Sequence, residues 1–457
     1  ERIADGDTYQ VNYTFPLKSR FGGDARSWYA DLKAAQQADY CAYLDTGRHL
    51  ILSLSPELFF ERRGARLTTR PMKGTAARGR FLEEDDERAA GLRASAKDAA
   101  ENLMIVDLLR NDLGKIAVTG SVRVPRLFAV ERYPTLLQMT STVEAECRPD
   151  TGLLDIFKAL FPCGSITGAP KLRTMEIIRE LEPRPRGVYT GAIGLVRPGG
   201  DAVFNVAIRT LVLDKQTGEV TFGVGGGITA DSTAAAEYDE CALKAGFLSR
   251  RAKPFQLVET LLLERGAYFL LERHLERMKA SARYFGFVWD EESARAALDE
   301  IRLAHPRGGW RVRLLCADDA TVTGAAEAMG LDAERRYRVA LAARPVDAND
   351  AMLFHKTTDR RAYEDEVRRR PDVDDIIFWN ERGEVTESAI ANVVLIDEGR
   401  KWTPPRACGL LRGTLAAELI SAGELSERVI TKAELERAQT FYLINSVRKW
   451  MQAVLID

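Results

Sequence analysis

The sequence predicts an α+β protein of two domains, and three observations carry that reading. At 457 residues the chain exceeds what one ordinary core accommodates, so two or three domains are expected. Through the first half, strand-like runs interleave with helical ones, the order expected of α+β layers around a large sheet. Near Arg250, Arg251, Ala252, Lys253 and Pro254 the pattern stops and restarts, dividing the chain into 1–250 and 254–457. No internal repeat or low-complexity tract links the halves, so they are expected to be unrelated domains.

In order along the chain, Leu50, Ile51, Leu52, Ser53, Leu54 and Ser55 read as a strand ending in Pro56 and Glu57. Lys73 then stands between Pro71 and a Gly74-Thr75 turn, so its amine is expected on a rigid turn. An amine so fixed near a carboxylate acts as a nucleophile once burial or a neighbouring charge lowers its pKa. A lone lysine in a loop is otherwise a solvated surface group. Helices are expected at 99–109 and 171–181, the second begun after Pro170 and stopped by Pro183. The first carries Glu101, Asp107 and Asp112 on one helix-to-loop stretch.

Strands are expected at 191–196, 203–208 and 219–224. The run Gly223, Val224, Gly225, Gly226, Gly227 offers backbone N–H groups to an anion. Glu237 and Glu240, three apart on a helix, face one side, with Lys244 a turn further on. Paired carboxylates without a histidine suit Mg²⁺, which leaves positions for a substrate's oxygens. Standing alone, they would be a solvated acidic face.

Past the joint, 255–263 and 267–271 read as a hairpin and 275–285 as an amphipathic helix. A charged segment fills 360–370, strands are expected at 376–378 and 391–396, and a helix at 415–420. Lys356 is placed at a strand end, with Glu387 further along. A lysine for the carbonyl carbon and a carboxylate for the ring nitrogen are what pyridoxal phosphate needs.

Composition excludes several classes. Charged residues make up 29% with a net charge of −2, which leaves no basic footprint for nucleic acid or a membrane surface. No run approaches the ~20 apolar residues of a membrane span, and no signal peptide is visible. Six scattered cysteines with no C-x-x-C pair argue against zinc and disulfides and fit a reducing cytoplasm. With four histidines in all, any metal is expected to be a hard ion on carboxylates.

Taken together, the first-half segments resemble the chorismate-utilising enzymes, which include anthranilate, aminodeoxychorismate, isochorismate and salicylate synthases. The resemblance runs from Asp5 to about Leu248, through motifs at 6–12 (Gly-Asp-Thr-Tyr-Gln-Val-Asn), 53–57 (Ser-Leu-Ser-Pro-Glu), 95–104 and 164–171 (Gly-Ser-Ile-Thr-Gly-Ala-Pro-Lys). It implies a β-sandwich core flanked by helices. It also implies a general acid at Glu57 and Mg²⁺ carboxylates at Glu101, Glu237 and Glu240. Tyr189 and Arg209 match the grip on the enolpyruvyl carboxylate. Gly225, Gly226, Gly227 and Lys244 match further carboxylate and ring contacts, and Thr167 and Gly168 a pocket-lining loop.

Within the family, anthranilate synthases carry alanine where Lys73 stands, and aminodeoxychorismate synthases carry lysine. The resemblance therefore implies a covalent Lys73 intermediate and an amino group para to the carboxylate, with Met72 replacing the usual isoleucine. Members usually have an extra N-terminal segment, and this chain begins inside the first motif. Either the protein is short there or a segment precedes it.

From Phe255 onward, Lys356 and Glu387, with the motifs around Arg273-His274 and Gly409 to Thr414, resemble the fold-type IV pyridoxal-phosphate enzymes. That group includes branched-chain and D-amino acid aminotransferases and 4-amino-4-deoxychorismate lyase. The resemblance implies Lys356 as the cofactor lysine and Glu387 as partner of the pyridine nitrogen. Arg277, Gly413, Thr414 and Ser446 match the phosphate contacts, and Thr260 a residue aiding proton delivery to pyruvate. Arg412 departs from the usual proline or alanine, and Leu415-Ala416 from a frequent arginine.

The two resemblances imply an enzyme that converts chorismate and ammonia to 4-aminobenzoate and pyruvate, with Mg²⁺ and pyridoxal phosphate as cofactors. No glutaminase motif is apparent, so a separate glutamine amidotransferase subunit is expected to supply the ammonia, and a homodimer through the second domain is expected. Two other readings stay open. One is an anthranilate-type synthase fused to an aminotransferase, and the other a chorismate-binding subunit with one inactive domain.

Overall fold

A computed structural model describes residues 1–249, 254–330, 335–438 and 440–456. The expected joint lies outside the described residues except for Pro254. The chain forms two compact units, Glu1–Arg78 with Asp86–Lys253, and Gly79–Asp85 with Pro254–Asp457.

The first unit holds two sheets. One has the strand order Tyr40–Asp45, His49–Ser55, Thr210–Asp214, Glu219–Ile228, Gln10–Arg20, Gly168–Ala169. The other runs Ala192–Val196, Ala202–Val206, Leu58–Arg63, Arg66–Arg70, Leu136–Glu146, Met72–Ala77, with Arg123–Arg132 also paired to Leu136–Glu146. The first sheet closes its core with Leu32, Leu52, Leu54, Phe222 and Phe247. The second packs Phe59, Phe60, Leu67 and Val143 against Ile105, Val106, Leu109 and Leu113 of the helix Ala96–Gly114. Those four recur at helical spacing, which turns one face of the helix to the sheet.

Two chain crossings join the sheets. His49–Ser55 in one leads through Pro56 and Glu57 into Leu58–Arg63 of the other, and Ala202–Val206 returns through Arg209 into Thr210–Asp214. The crossings hold each other: Leu54 N–H donates to the Arg209 carbonyl at 3.0 Å and Val206 N–H to the Glu57 carbonyl at 3.1 Å. Glu57 and Arg209 are thereby fixed at the same place by backbone pairing.

In the second unit, an antiparallel sheet orders Ala267–Tyr268, Leu257–Glu264, Gly309–Cys316, Val322–Ala328. Its core joins Leu261 and Val312 to Leu275 and Met278 of the helix Leu271–Phe285 and Leu298 of Glu291–Ala304. An eight-stranded mixed sheet follows, in which Tyr337–Leu341 pairs in parallel with Asp375–Trp379 and Lys449–Leu455.

Several expected elements differ. Lys73 is on a strand, Met72–Ala77, rather than a turn; its pairing with Leu136–Glu146 slips between Met72 and Thr75, and this bulge swings the side chain out of the ladder. Gly74 takes φ +95 there, a conformation that favours glycine. The helix expected at 99–109 extends over Ala96–Gly114, started by Ser95 accepting from Asp98 N–H at 3.2 Å. The glycine run belongs to the strand Glu219–Ile228. The charged segment at 360–370 is the helix Arg361–Arg369. Lys356 is not at a strand end: it follows the short helical turn Ala351–Phe354, and its carbonyl accepts from Val258 N–H at 3.0 Å.

Candidate functional site

The first unit encloses a cavity of about 310 Å³ whose walls include Glu57, Lys73, Glu101, Arg209, Glu237 and Glu240. Tyr189, Gly225, Gly227 and Lys244 also line it. Residues from seven separate stretches of the chain thus converge. Thr167 and Gly168 do not line this cavity; their neighbours Ser165 and Ile166 do. Thr167 is buried in a neighbouring cavity that shares Tyr189 and Ile166, and Gly168 is spent on backbone pairing with Val11.

Lys73 is positioned through its backbone. Asn102 Nδ2 donates to the Lys73 carbonyl at 3.2 Å while Asn102 Oδ1 accepts from Ser141 at 2.6 Å. Gln138 Nε2 donates to the Gly74 carbonyl at 2.8 Å. The helix and the paired strand therefore fix the bulge from both sides. The enclosing walls, and then Lys244, hold the Lys73 amine below the ordinary lysine range. Glu57 is 2% exposed, and burial pushes its carboxyl up to about 7 against the opposing hydrogen bond from Ser165, 2.6 Å away. One group keeps its proton and the other is inclined to lose one.

The glycines act by lacking side chains. A Cβ on Gly226 would lie 2.6 Å from Glu237 Oε2, and one on Gly227 would collide with Gln10 Nε2 and lie 2.7 Å from Lys73 Nζ. The expected backbone cradle is partly used, because Gly225, Gly226 and Gly227 pair with Thr14, Tyr13 and Asn12. On the other edge, pairing with Thr210–Asp214 ends at Phe222, so the glycines are unpaired on that side.

Of the acids on the helix Ala96–Gly114, Asp98 and Glu101 line the cavity. Asp107 pairs with Arg110 at the surface, and Asp112 is buried between Lys171 at 2.5 Å and Lys115 at 2.6 Å. Glu240 pairs with Lys244 at 2.7 Å; burial raises its carboxyl, but that lysine outweighs burial and holds it low. Glu237 Oε2 is buried without a hydrogen-bond partner, and its Oε1 accepts from Ser232 at 2.6 Å. Among the described residues, Glu101, Glu237 and Glu240 do not form a ready group of three metal ligands, so a cation here needs oxygens from elsewhere.

The second unit holds a cavity of about 180 Å³ lined by Thr260, Arg277, Lys356, Glu387, Gly413, Thr414 and Ser446, every cofactor residue expected of this half. Enclosure, then the Arg277 charge, pushes the Lys356 amine down to about 8. Burial raises Glu387 to about 7, although its Oε1 accepts from Tyr363 O–H at 2.8 Å and Leu411 N–H at 3.2 Å.

Gly413 caps the helix Thr414–Ser421, whose N-terminus opens on the cavity, and Asn392 Oδ1 fixes the cap by accepting from Gly413 N–H at 2.9 Å. Arg277 is clamped by buried Glu259 through bonds of 2.8 and 2.6 Å. His274 lies 2.6 Å from the same carboxylate through Nδ1 and 3.1 Å from Thr414 Oγ1 through Nε2. Burial acts to raise Glu259, yet Arg277 and His274 bring it down to about 2.

Sequence reading assigned no role to Gln10, Ser165, Asn102, Glu259 or Tyr363. Gln10, Asn102 and Ser165 lie within the motifs at 6–12, 95–104 and 164–171, and that membership is their signal. Glu259 precedes Thr260 with nothing to mark it, and Tyr363 sits in a segment legible only as charged. Gln10 is fully buried and neither polar atom of its amide has a partner.

The model of the chorismate binding enzymes matches residues 1–250, and that of the class IV amino-transferases matches residues 256–456. The chain is 45% identical over 240 residues to aminodeoxychorismate synthase component 1 of Escherichia coli, covering 52% of this chain and 52% of that one. It is 41% identical over 258 residues to the Bacillus subtilis protein of the same name, covering 56% and 54%. Among solved structures, anthranilate synthase component I from Streptococcus pneumoniae aligns at 34% identity and TM-score 0.50 over 55% of each chain. The chain spans about half the length of the curated relatives it matches. No helix among the described residues is long and apolar enough to cross a membrane.

Proposed function

We propose, on the premise that this chain belongs to the chorismate binding enzymes, that it makes 4-aminobenzoate from chorismate and ammonia in two consecutive reactions. The observation that carries the reading is Lys73, swung by a strand bulge into a carboxylate-lined cavity that also holds a proton-retaining Glu57.

In the first reaction, the Lys73 lone pair forms a bond to a ring carbon of chorismate, and the ring hydroxyl leaves as water with the proton of Glu57. Ammonia then displaces the lysine amine, which leaves nitrogen para to the ring carboxylate. Arg209 and Tyr189 hold the enolpyruvyl carboxylate, a planar anion suited to a guanidinium fork. The open edge at Gly225–Gly227 and Lys244 take the remaining carboxylate contacts. Thr167 and Gly168 set the loop behind the pocket. Glu101, Glu237 and Glu240 would hold Mg²⁺, for which Glu237 keeps a buried, unpartnered oxygen, and the ion would supply charge stabilisation for the substrate's ring carboxylate.

In the second unit the donor set fits pyridoxal phosphate: an enclosed amine, a carboxyl and a helix N-terminus line one cavity. When bound, that cofactor supplies an electron sink for proton loss and expulsion of pyruvate. Lys356 would provide the amine that links to it, and Glu387, held by Tyr363, would partner its ring nitrogen. Arg277, Gly413, Thr414 and Ser446 would hold the phosphate, and Thr260 would assist proton delivery. Elimination rather than transamination is supported by the first unit's product, which is a substrate for this cleavage. Ammonia would come from a separate glutamine amidotransferase subunit, and the second domain would form the contact of a homodimer.

The test is chromatography of products after mixing the protein with chorismate, ammonium, Mg²⁺ and pyridoxal phosphate. Appearance of 4-aminobenzoate and pyruvate is expected. Anthranilate would overturn the reading of Lys73, an outcome given weight by the likeness to anthranilate synthase. Accumulated 4-amino-4-deoxychorismate would remove the lyase assignment.

A further inference from the structure

The Glu57 carboxyl is engaged chiefly by the Ser165 hydroxyl, with the Met72 backbone N–H as a weaker donor. Ser165 Oγ lies 2.6 Å from Glu57 Oε1, and Cys163 Sγ lies 3.2 Å from Ser165 Oγ. All three side chains are nearly sealed, at 2% exposure for Glu57 and 4% for Ser165 and Cys163, so water does not compete for these contacts. The chain is short and one-dimensional.

A serine hydroxyl has one hydrogen to give and accepts through its lone pairs. A thiol is a weak donor and a weaker acceptor, so the better arrangement has Cys163 donating to Ser165 and Ser165 donating to Glu57. The reverse order would put the Glu57 proton on Oε1 and force Ser165 to donate to sulfur. The hydroxyl's direction is therefore biased by its neighbour on the far side.

The backbone supports the same geometry. Ser165 lies in the helical turn Gly164–Ile166, and Gly164 has no side chain because a Cβ would strike Leu108. Glu57 N–H donates to Ser55 Oγ at 3.2 Å, and Ser55 donates to the Val206 carbonyl at 2.6 Å. Neither the acid nor its hydroxyl partner has freedom to turn away.

We propose that Ser165, oriented by Cys163, is a positioning residue that occupies Oε1 of Glu57 as an acceptor and so keeps the acid's proton on Oε2. The proposal rests on reading Glu57 as the general acid. It gives that acid a handed geometry: only one oxygen can deliver the proton, and the leaving hydroxyl of the substrate must meet that one. The charged and titratable groups facing Glu57 are Lys73 from the bulged strand, Lys244 from the helix Ala234–Ala245, and Cys163 beside Ser165.

A hydroxyl that donates to the carboxylate favours the charged form, so its removal raises the affinity of Glu57 for a proton. Infrared difference spectra, the protein minus its Glu57→Gln variant, report the protonated carboxyl directly and need no substrate. In Ser165→Ala the Glu57 titration is expected to move up by about one pH unit. The rate of the first reaction should fall roughly tenfold at low pH, with its alkaline limb displaced upward by the same interval. Ser165→Cys should lie between, and Cys163→Ala should shift the titration in the same direction by less. These two variants carry the test if Ser165→Ala does not fold.

A titration unmoved in the folded serine and cysteine variants overturns the proposal. If Glu57→Gln keeps the rate and its alkaline limb, the acid assignment itself falls. An inactive Glu57→Gln with an unmoved Ser165→Ala titration removes the positioning role alone.

Discussion

Burial acts in opposite senses on the two reacting groups of the first cavity, because it penalises whichever form is charged. Glu57 is pushed up and Lys73 down, so near neutral pH an acid retains its proton beside an amine inclined to shed one. The rate of the first reaction should therefore decline above about pH 7, as Glu57 loses its proton. Lys73→Ala should lower formation of 4-amino-4-deoxychorismate by at least roughly 100-fold, and abolish any protein–substrate adduct seen by intact mass without ammonia. A near-normal rate in that variant would rule out the covalent route.

At the scale of elements, a bulge and a bare strand shape the first site. The slip between Met72 and Thr75 turns Lys73 inward, and the glycines of Glu219–Ile228 leave the space that Glu237 and Gln10 occupy. In Gly226→Ala the added methyl has to displace the Glu237 carboxylate, 2.6 Å from its Cβ. Mg²⁺ affinity, measured by calorimetry in the presence of chorismate, should fall by roughly tenfold or more. Unchanged affinity would remove Glu237 from the metal set.

In the second unit the strand Leu257–Glu264 and the helix Leu271–Phe285 are tied by Glu259 to Arg277 and His274. Glu259→Gln leaves a clamped guanidinium under-compensated and should destabilise this unit by about 3 kcal/mol in urea unfolding. Because the folded-state pKa of Glu259 is depressed to about 2, its contribution is present above the unfolded carboxylate range. It is lost as pH falls from 4.5 through about 2, so the stability difference between the protein and Glu259→Gln should shrink over that window. A midpoint in urea that does not move would show the cluster to be incidental.

Across the whole molecule, each cavity is lined by residues of its own unit, so the two reactions should separate by mutation. Lys356→Ala should remove the borohydride-reducible link to pyridoxal phosphate and stop 4-aminobenzoate formation, while consumption of chorismate continues and 4-amino-4-deoxychorismate accumulates. Loss of both reactions in a folded Lys356→Ala protein would contradict that independence.

Much of this was legible in the sequence, because motifs are contiguous and chemistry at one position depends on residue type. The helix Lys171–Leu181 is bounded by its prolines as expected, the acids of Ala234–Ala245 share a face, and Lys73, Glu57, Lys356 and Glu387 stand in cavities. What the sequence could not supply were relations between distant segments. The bulge at Lys73 needs a partner strand 60 residues or more away, as the pairing of Thr75 with Gln138 shows. Ser165 meets Glu57 across 108 positions, and Glu259 meets Arg277 only when a strand and a helix pack. Residue type and local pattern determined which groups are present and which elements carry them; tertiary packing alone decided which groups touch, how deeply they are buried and hence which of them hold a proton, because desolvation and hydrogen-bond geometry are properties of the assembled neighbourhood.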